Sequence, residues 1–523
     1  MRRRFTPLRF QGRFRTLDLV LRRMRFRVND VNSKLKRCKL AAFFMLTLSL
    51  RATATVPSAV MGSAAFASEP LAANPEMANH VRAEFLHAWN GYKQYAWGHD
   101  EVRPLSKAPF DWYGTSLLMT PVDALDTMIL MGLNDQADEA RALIDEKLDF
   151  NKDIYIKTFE INIRLLGGLL SSYQLTGDKR LLALADDLGQ RLLPAFNSPT
   201  GLPYVEVNLK TGAVRGDEPN PAEAGTYLLE FGTLSKLTGK PIYYEKAKRA
   251  ITALYDRRSP IGLYGLNINV KTGAWTGTAS NINGGTDSYY EYLLKAWLLF
   301  GDMDCKRMWE TSLKALNQYV AQEAPTGFWY GEADMYTGAR AGTRFGDLAA
   351  FFPGSLVLSG DVARARRLQD SCYKMWTTFG IEPEEIDYST MKIVSPGYEL
   401  RPEIIESAYY LYYFTQDPRY VQMGQTFFES IKKYCRNDVA YAALTSADTK
   451  VQRDDMESFF FAETLKYLYL LGAPNTIDLK TTVLNTEAHP LQRTWKVDGP
   501  VSDFPAWMRE GSLMAKPTPG ASH

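Results

Sequence analysis

Four cysteines and five histidines in 523 residues leave little material for a disulfide framework or a transition-metal centre. Cys38 falls in the basic N-terminal segment, so the body of the chain keeps Cys305, Cys372 and Cys435, an odd number. The marks of several enzyme classes are missing too: no glycine-rich phosphate loop, no His-Glu-x-x-His, no Cys-x-x-Cys and no Gly-x-Ser-x-Gly nucleophile elbow. The chain has no Asn-x-Ser/Thr acceptor site, and its longest N-terminal apolar run, Leu40–Leu50, is well short of the roughly 20 residues that span a bilayer. Positive charge is scarce where it would matter for nucleic acid. Residues 1–67 hold 15 of the 61 basic residues but only Asp18 and Asp30 of the 59 acidic ones, which leaves the remainder acidic by 11. Such a body repels phosphate backbones and anionic lipid, so neither nucleic acid nor a membrane surface is an expected partner.

What is present begins with a leader. An arginine-rich stretch, the apolar run and then small residues ending in Ala65-Phe66-Ala67 follow the order of an export signal cleaved before Ser68. The expected location is therefore periplasmic or secreted, of bacterial type, with no stable membrane insertion once residues 1–67 are removed.

Beyond the leader the sequence repeats. Apolar helical stretches end at small turns near Gly132, Gly177, Gly239, Gly301, Gly360, Gln416 and Gly472, at intervals of 45 to 62 residues. Glycine supplies the left-handed residue that ends one helix, and an adjoining Asp caps the next. The stretches entering the turns, such as Tyr289–Phe300 and Phe459–Leu471, are apolar nearly all round and predict an inner layer. Those leaving them, such as Arg180–Leu193, Tyr243–Tyr255 and Arg419–Tyr434, are amphipathic and predict an outer layer, with Glu76–Trp97 as its first member. The unequal period disfavours an open solenoid. The expectation is all-α: an (α/α)7 barrel, a toroid of seven helical hairpins. Four strand-like excursions, Pro203–Asn208, Leu263–Val270, Phe328–Ala341 and Asp387–Tyr398, each precede an inner helix and put the long loops on one face.

At that face the inner helices open with acids: Asp123 and Asp126, Glu160, Glu223, Asp287 and Glu291, Asp347, Glu403 and Glu406, Glu457 and Glu463. One acid in a first turn is explained by the helix dipole alone. Seven sets converging on one axis leave charge in a confined space, which a metal, arginine or a polyhydroxylated ligand must satisfy. Paired carboxyls in such a cavity are the chemistry of glycoside hydrolysis, one protonating the leaving oxygen and another activating water.

Several blocks carry a closer resemblance. Thr158-Phe159-Glu160-Ile161-Asn162-Ile163-Arg164 with Gly167-Gly168, Asp287-Ser288-Tyr289-Tyr290-Glu291, Leu400-Arg401-Pro402-Glu403 through Glu406, Glu457-Ser458-Phe459 through Glu463, and Asn485-Thr486-Glu487-Ala488-His489-Pro490 resemble glycoside hydrolase family 47, the class I α-1,2-mannosidases, in order from about Glu76 to Gln492. The resemblance implies a catalytic domain over 68–492 whose C-terminal β-hairpin, 473–492, plugs the barrel, followed by a tail, 493–523, of no assigned role. It implies a calcium-dependent, inverting exo-α-1,2-mannosidase acting on mannose-containing oligosaccharides; a monomer is expected, although nothing in the sequence fixes the oligomeric state. Glu160 then resembles the general acid, Glu403 the general base and Asp287 a third essential carboxylate. Thr486 resembles the residue that touches calcium, while Arg164, Arg401, Glu406, Phe459, Glu463 and Glu487 resemble sugar-contacting or supporting positions. Three positions depart from the family pattern. Asp347 stands where a histidine is usual, and is expected to contact a sugar hydroxyl instead. Ala350 stands where many relatives have a cysteine paired with the position of Cys372, so the thiols are expected to be free. Gly285 occupies a position often set by Arg or Leu, which leaves branch preference unread. The alternative reading is a mannose-binding protein of the same fold with little or no hydrolysis.

Overall fold

A computed structural model describes residues 71–497 and 504–509; the leader expected over 1–67 lies outside the described residues. Seven inner helical segments run in chain order as Met119–Leu130, 158–176, 221–238, Asp287–Phe300, 348–358, Glu403–Thr415 and 460–472. Seven outer helices alternate with them: Pro75–Ala96, Asn134–Lys147, Lys179–Leu192, Pro241–Tyr255, Met303–Ala315, Val362–Phe379 and Arg419–Cys435. Each inner segment packs on the next, and Met119–Leu130 returns onto Phe460–Thr464, so the ring closes as an (α/α)7 barrel. Closure is sealed by the first outer helix, Pro75–Ala96, which lies against the last inner helix; Asn74 N–H donates to Gly472 C=O at 2.7 Å.

The turn chemistry does what the sequence implies. Gly177, Gly239 and Gly301 end their helices at φ of 73°, 73° and 75°. Asp178, Asp302 and Asp361 then accept backbone N–H bonds from Arg180, Cys305 and Arg364 to start the following outer helices. At the sixth turn Gln416 takes the left-handed position at φ 55°.

Loops on the opposite face form small antiparallel sheets. Tyr155–Lys157, Glu206–Asn208 and Val214–Arg215 make one; Ala279–Ser280, Glu332–Asp334 and Arg340–Gly342 a second; Arg344–Gly346, Glu385–Asp387 and Lys392–Ser395 a third. Of the four strand-like excursions, Leu263–Val270 differs. It forms no strand beyond a single bridge between Ile268 and Trp275; its backbone N–H groups divide between its own returning arm, at Ala274 and Gly277, and the neighbouring loop, at Asp217 and Pro219.

The C-terminal hairpin, Thr482–Leu484 paired with Pro490–Gln492, rises inside the ring. Glycine makes room for it: a Cβ on Gly167 would stand 2.7 Å from the Asn485 amide and one on Gly168 3.1 Å from the His489 ring. The described part of the tail covers the turn end of the barrel. Trp495 stacks on Phe300 with ring centroids 5.5 Å apart, Phe504 on Trp297 at 6.1 Å, and the Trp507 indole donates to Leu358 C=O at 3.1 Å. The three described cysteines, Cys305, Cys372 and Cys435, are free and buried. Among the described residues no helix is long and apolar enough to cross a membrane.

Candidate active site

The starts of the inner helices and the tip of the hairpin enclose a cavity of about 350 Å³, within the range of small-ligand pockets. Its wall includes Glu160, Arg164, Asp287, Arg401, Glu403, Glu406, Phe459, Glu463, Thr486 and Glu487, ten of the eleven residues singled out from sequence. Asp347 is the exception. It is fully buried one layer back, with Oδ2 3.6 Å from Arg401 Nε, because its short side chain caps the Leu348 N–H at 2.7 Å instead of reaching the cavity. Glu223 and Glu291 complete eight lining carboxylates, against three lining cations, Lys157, Arg164 and Arg401.

Two wide helical turns place key side chains. Asn162–Leu166 and Phe460–Thr464 adopt π-helical geometry, an insertion often found at functional sites, and carry Arg164 and Glu463. Arg164 is the hub of one wall. Its Nε donates to Glu160 at 3.1 Å and its Nη1 to Glu487 at 2.6 Å and Ser458 at 3.3 Å. The helical spacing of Glu160 and Arg164 in the sequence makes this pair, and the hairpin contributes the second carboxylate. Phe459 is shared by the two arginines, with the Arg164 and Arg401 guanidinium groups 5.5 and 5.4 Å from its ring centroid.

The opposite wall is short of partners. Glu403 Oε2, Asp347 Oδ2, Glu384 Oε1 and both Glu382 oxygens are buried without a hydrogen bond, around the single guanidinium of Arg401. Burial pushes the Asp287 carboxyl up to about 7, with Glu291 adding to the rise, and the Glu403 carboxyl up to about 8 even though Arg401 opposes it. Glu406 is raised to about 7 by burial, the buried ion pair with Lys295 only partly offsetting it. Burial likewise lifts Glu463 and Glu487.

The hairpin tip is fixed by a network that the sequence did not reveal. Asn485 Oδ1 accepts the N–H groups of Glu487 at 3.0 Å and His489 at 2.8 Å, while its amide donates to Ile163 C=O at 3.0 Å and Glu230 at 2.8 Å. His489 reaches Asp126 at 2.7 Å and Asp123 at 3.2 Å, and Lys466 reaches Asp126 at 2.8 Å and Ala488 C=O at 2.7 Å. Asp123 and Asp126, read as part of the acid ring, therefore anchor the hairpin and do not line the cavity. Lys295 and Lys466 were missed because both sit inside apolar helical runs; the four-residue spacing of Glu291 and Lys295 was the available signal. Lys157 and Asn220, on the cavity wall, carried no signal of their own.

The cavity's donors are oxygens with a marked excess of carboxylate, suited to a hard cation and to hydroxyl-rich ligands. Thr486 lies on the wall at the head of the hairpin with its N–H toward the Tyr292 hydroxyl at 3.4 Å.

Comparison with known proteins agrees in extent. The model of glycosyl hydrolase family 47 matches residues 84–493. Alpha-mannosidase I MNS5 of Arabidopsis thaliana is 37% identical over 80% of this chain and 77% of its own length. Mannosyl-oligosaccharide 1,2-alpha-mannosidase IB of Homo sapiens is 35% identical over 80% of this chain and 70% of its own. The structure of the alpha-1,2-mannosidase from Trichoderma reesei superposes with a TM-score of 0.75 at 29% identity, covering 80% of this chain and 99% of that one.

Proposed function

The chain belongs to glycosyl hydrolase family 47 and is a glycoside hydrolase, and from that premise we propose that it is an exported, calcium-dependent exo-α-1,2-mannosidase that inverts configuration. The observation that carries the reading is the gathering of Glu160, Asp287, Glu403 and Thr486 around one acidic cavity.

Glu160 is the general acid that delivers a proton to the leaving oxygen, held in place by Arg164 at 3.1 Å. Glu403 is the general base that removes a proton from water, and Asp287 is a third carboxylate that orients the sugar or that water. Arg164 and Arg401 offset part of the acid charge, and Phe459 offers an apolar surface beside them. Thr486, through its hydroxyl and carbonyl, would hold calcium, with the surrounding carboxylates binding its water ligands; the excess of eight lining carboxylates over three cations suits such an ion. When bound, calcium supplies charge neutralisation and a fixed point for sugar hydroxyls. The order of basic, apolar and small residues in 1–67 supports export.

Proton NMR of the protein with α-1,2-linked mannobiose tests the proposal in one experiment. The expected result is hydrolysis that releases β-mannose first and stops after chelation. Release of the α-anomer first overturns inversion and the base role of Glu403; full turnover without metal removes the calcium assignment. Binding of the disaccharide without hydrolysis decides for the lectin-like alternative.

A further inference from the structure

Asp100 and Glu101 are adjacent in the chain and both fully buried, yet their carboxylates are treated very differently. Asp100 accepts the backbone N–H groups of Leu117 at 2.7 Å, Trp112 at 3.1 Å and Met119 at 3.2 Å, and the Ser116 hydroxyl at 3.3 Å. Both oxygens of Glu101 are without a hydrogen bond. The Arg103 guanidinium stands 3.9 Å away and the Trp112 indole faces the same carboxyl. A carboxyl so deeply buried and so poorly served is costly unless something else meets it.

Opposite Glu101 stand Asp455 and Glu457, on the loop that leads into the last inner helix. One oxygen from each of the three carboxyls lies within 4.8 Å of the others. The loop is clamped there by Asp454, whose Oδ1 accepts the N–H groups of Leu105 at 2.7 Å and Ser106 at 3.2 Å. Arg103 and Arg453 both contact Asp455, and Arg103 reaches Glu101 only at 3.9 Å, whereas among the described residues no ion pair includes Glu457. None of the three lines the catalytic cavity.

We propose that Glu101, Asp455 and Glu457 form a second cation site, for a hard divalent ion of the calcium class, separate from the one assigned to Thr486. Three carboxylate oxygens supply part of the six-to-eight oxygen shell that calcium takes, with water completing it. An ion here ties the strand Glu101–Arg103, which follows the first outer helix, to the loop before the last inner helix. Those two segments flank the seam where the ring closes, so the site is a staple for the closed barrel. It does not depend on the catalytic reading above.

The test is metal stoichiometry and stability on the purified protein, stripped by chelation and titrated with calcium, with terbium as a luminescent probe excited through tryptophan. The wild type is expected to bind two calcium ions per chain and to gain thermal stability with each. Glu101→Gln is expected to bind one, with loss of the terbium emission that arises beside Trp112, and Glu457→Gln to do the same should Glu101→Gln fold poorly. Thr486→Val is expected to lose the other ion. Retention of the wild-type stoichiometry by both carboxyl variants overturns the inference, whether that stoichiometry is one ion or two. A single wild-type ion lost in Glu101→Gln and kept in Thr486→Val supports this site and removes the calcium assigned to Thr486 instead.

Discussion

Two sets of acids open the inner helices of this barrel, and they have opposite surroundings. Asp123 and Asp126 meet His489, Lys466 and the Ser458 hydroxyl, and the Asp126 carboxyl is held down to about 2 because Lys466 and His489 outweigh the cost of burial. Asp287 and Glu403 meet few donors, and burial lifts them to about 7 and 8. Side chains of the same type at equivalent places in the repeat thus divide into an anchor and a reactive set. The difference comes from the C-terminal hairpin, which brings a histidine to one side of the axis and leaves the other side open to ligand.

The sharpest way to break that division is to neutralise one member of each set. Glu403→Gln should lower turnover by roughly 10²–10⁴-fold, the range for losing a general base, while leaving the melting temperature unchanged or higher, since an amide is buried more cheaply than a carboxyl. Asp126→Asn should do the reverse in stability, costing about 3–5 kcal/mol by leaving Lys466 and His489 short of a buried counter-charge. Denaturant unfolding of the two variants beside wild type checks both; a strongly destabilised Glu403→Gln would show that Glu403 belongs with the anchors.

Stability against pH sharpens the comparison further. The Asp126 carboxyl is depressed in the folded protein, so its contribution is present above about pH 4 and is lost as pH falls toward 2. His489 is raised to about 9, chiefly by Asp126 against the cost of burial, so its contribution is complete below pH 6.5 and is lost as pH rises through 9. Counted once, the pair contributes on the order of 2–3 kcal/mol in the window between. Asp287 and Glu403, raised in the fold, add a second loss as pH climbs from about 4.5 toward 8. In metal-free protein Glu403→Gln should therefore flatten the fall between about pH 4.5 and 8, and His489→Gln should remove the further loss toward pH 9. Identical pH–stability curves for wild type and both variants would contradict the assignment.

The repeat, the layers and the closed ring were legible because they are written in short-range signals: glycine at the turns, aspartate after them, and apolar periodicity that separates inner from outer helices. Ten cavity residues were legible through blocks such as 158–164 and 400–406, where local spacing and family resemblance coincide. What was not legible depends on contacts between distant segments. Nothing near Asp126 in the chain announces His489, which lies 363 residues away. Nothing near Glu101 announces Asp455 or Glu457. That Asp347 lies behind the cavity wall was not legible for a similar reason, since whether a first-turn acid points to the axis or caps its own helix is set by one side-chain rotation.

The comparison turns on charge, so its smallest consequence is at buried groups that carry none. Cys305, Cys372 and Cys435 are fully enclosed and free, and burial pushes all three thiols up, which keeps them protonated and unreactive. Ala350, where a partner for Cys372 would be expected in related chains, is itself fully buried and offers no sulfur. Reducing agent should therefore leave the melting temperature unmoved, within the error of the measurement. A thiol reagent should label the native protein slowly and, after unfolding, report three thiols in a chain that lacks residues 1–67. Finding one thiol would mean that two of the three have paired, against the three free thiols carried by the outer helices Met303–Ala315, Val362–Phe379 and Arg419–Cys435.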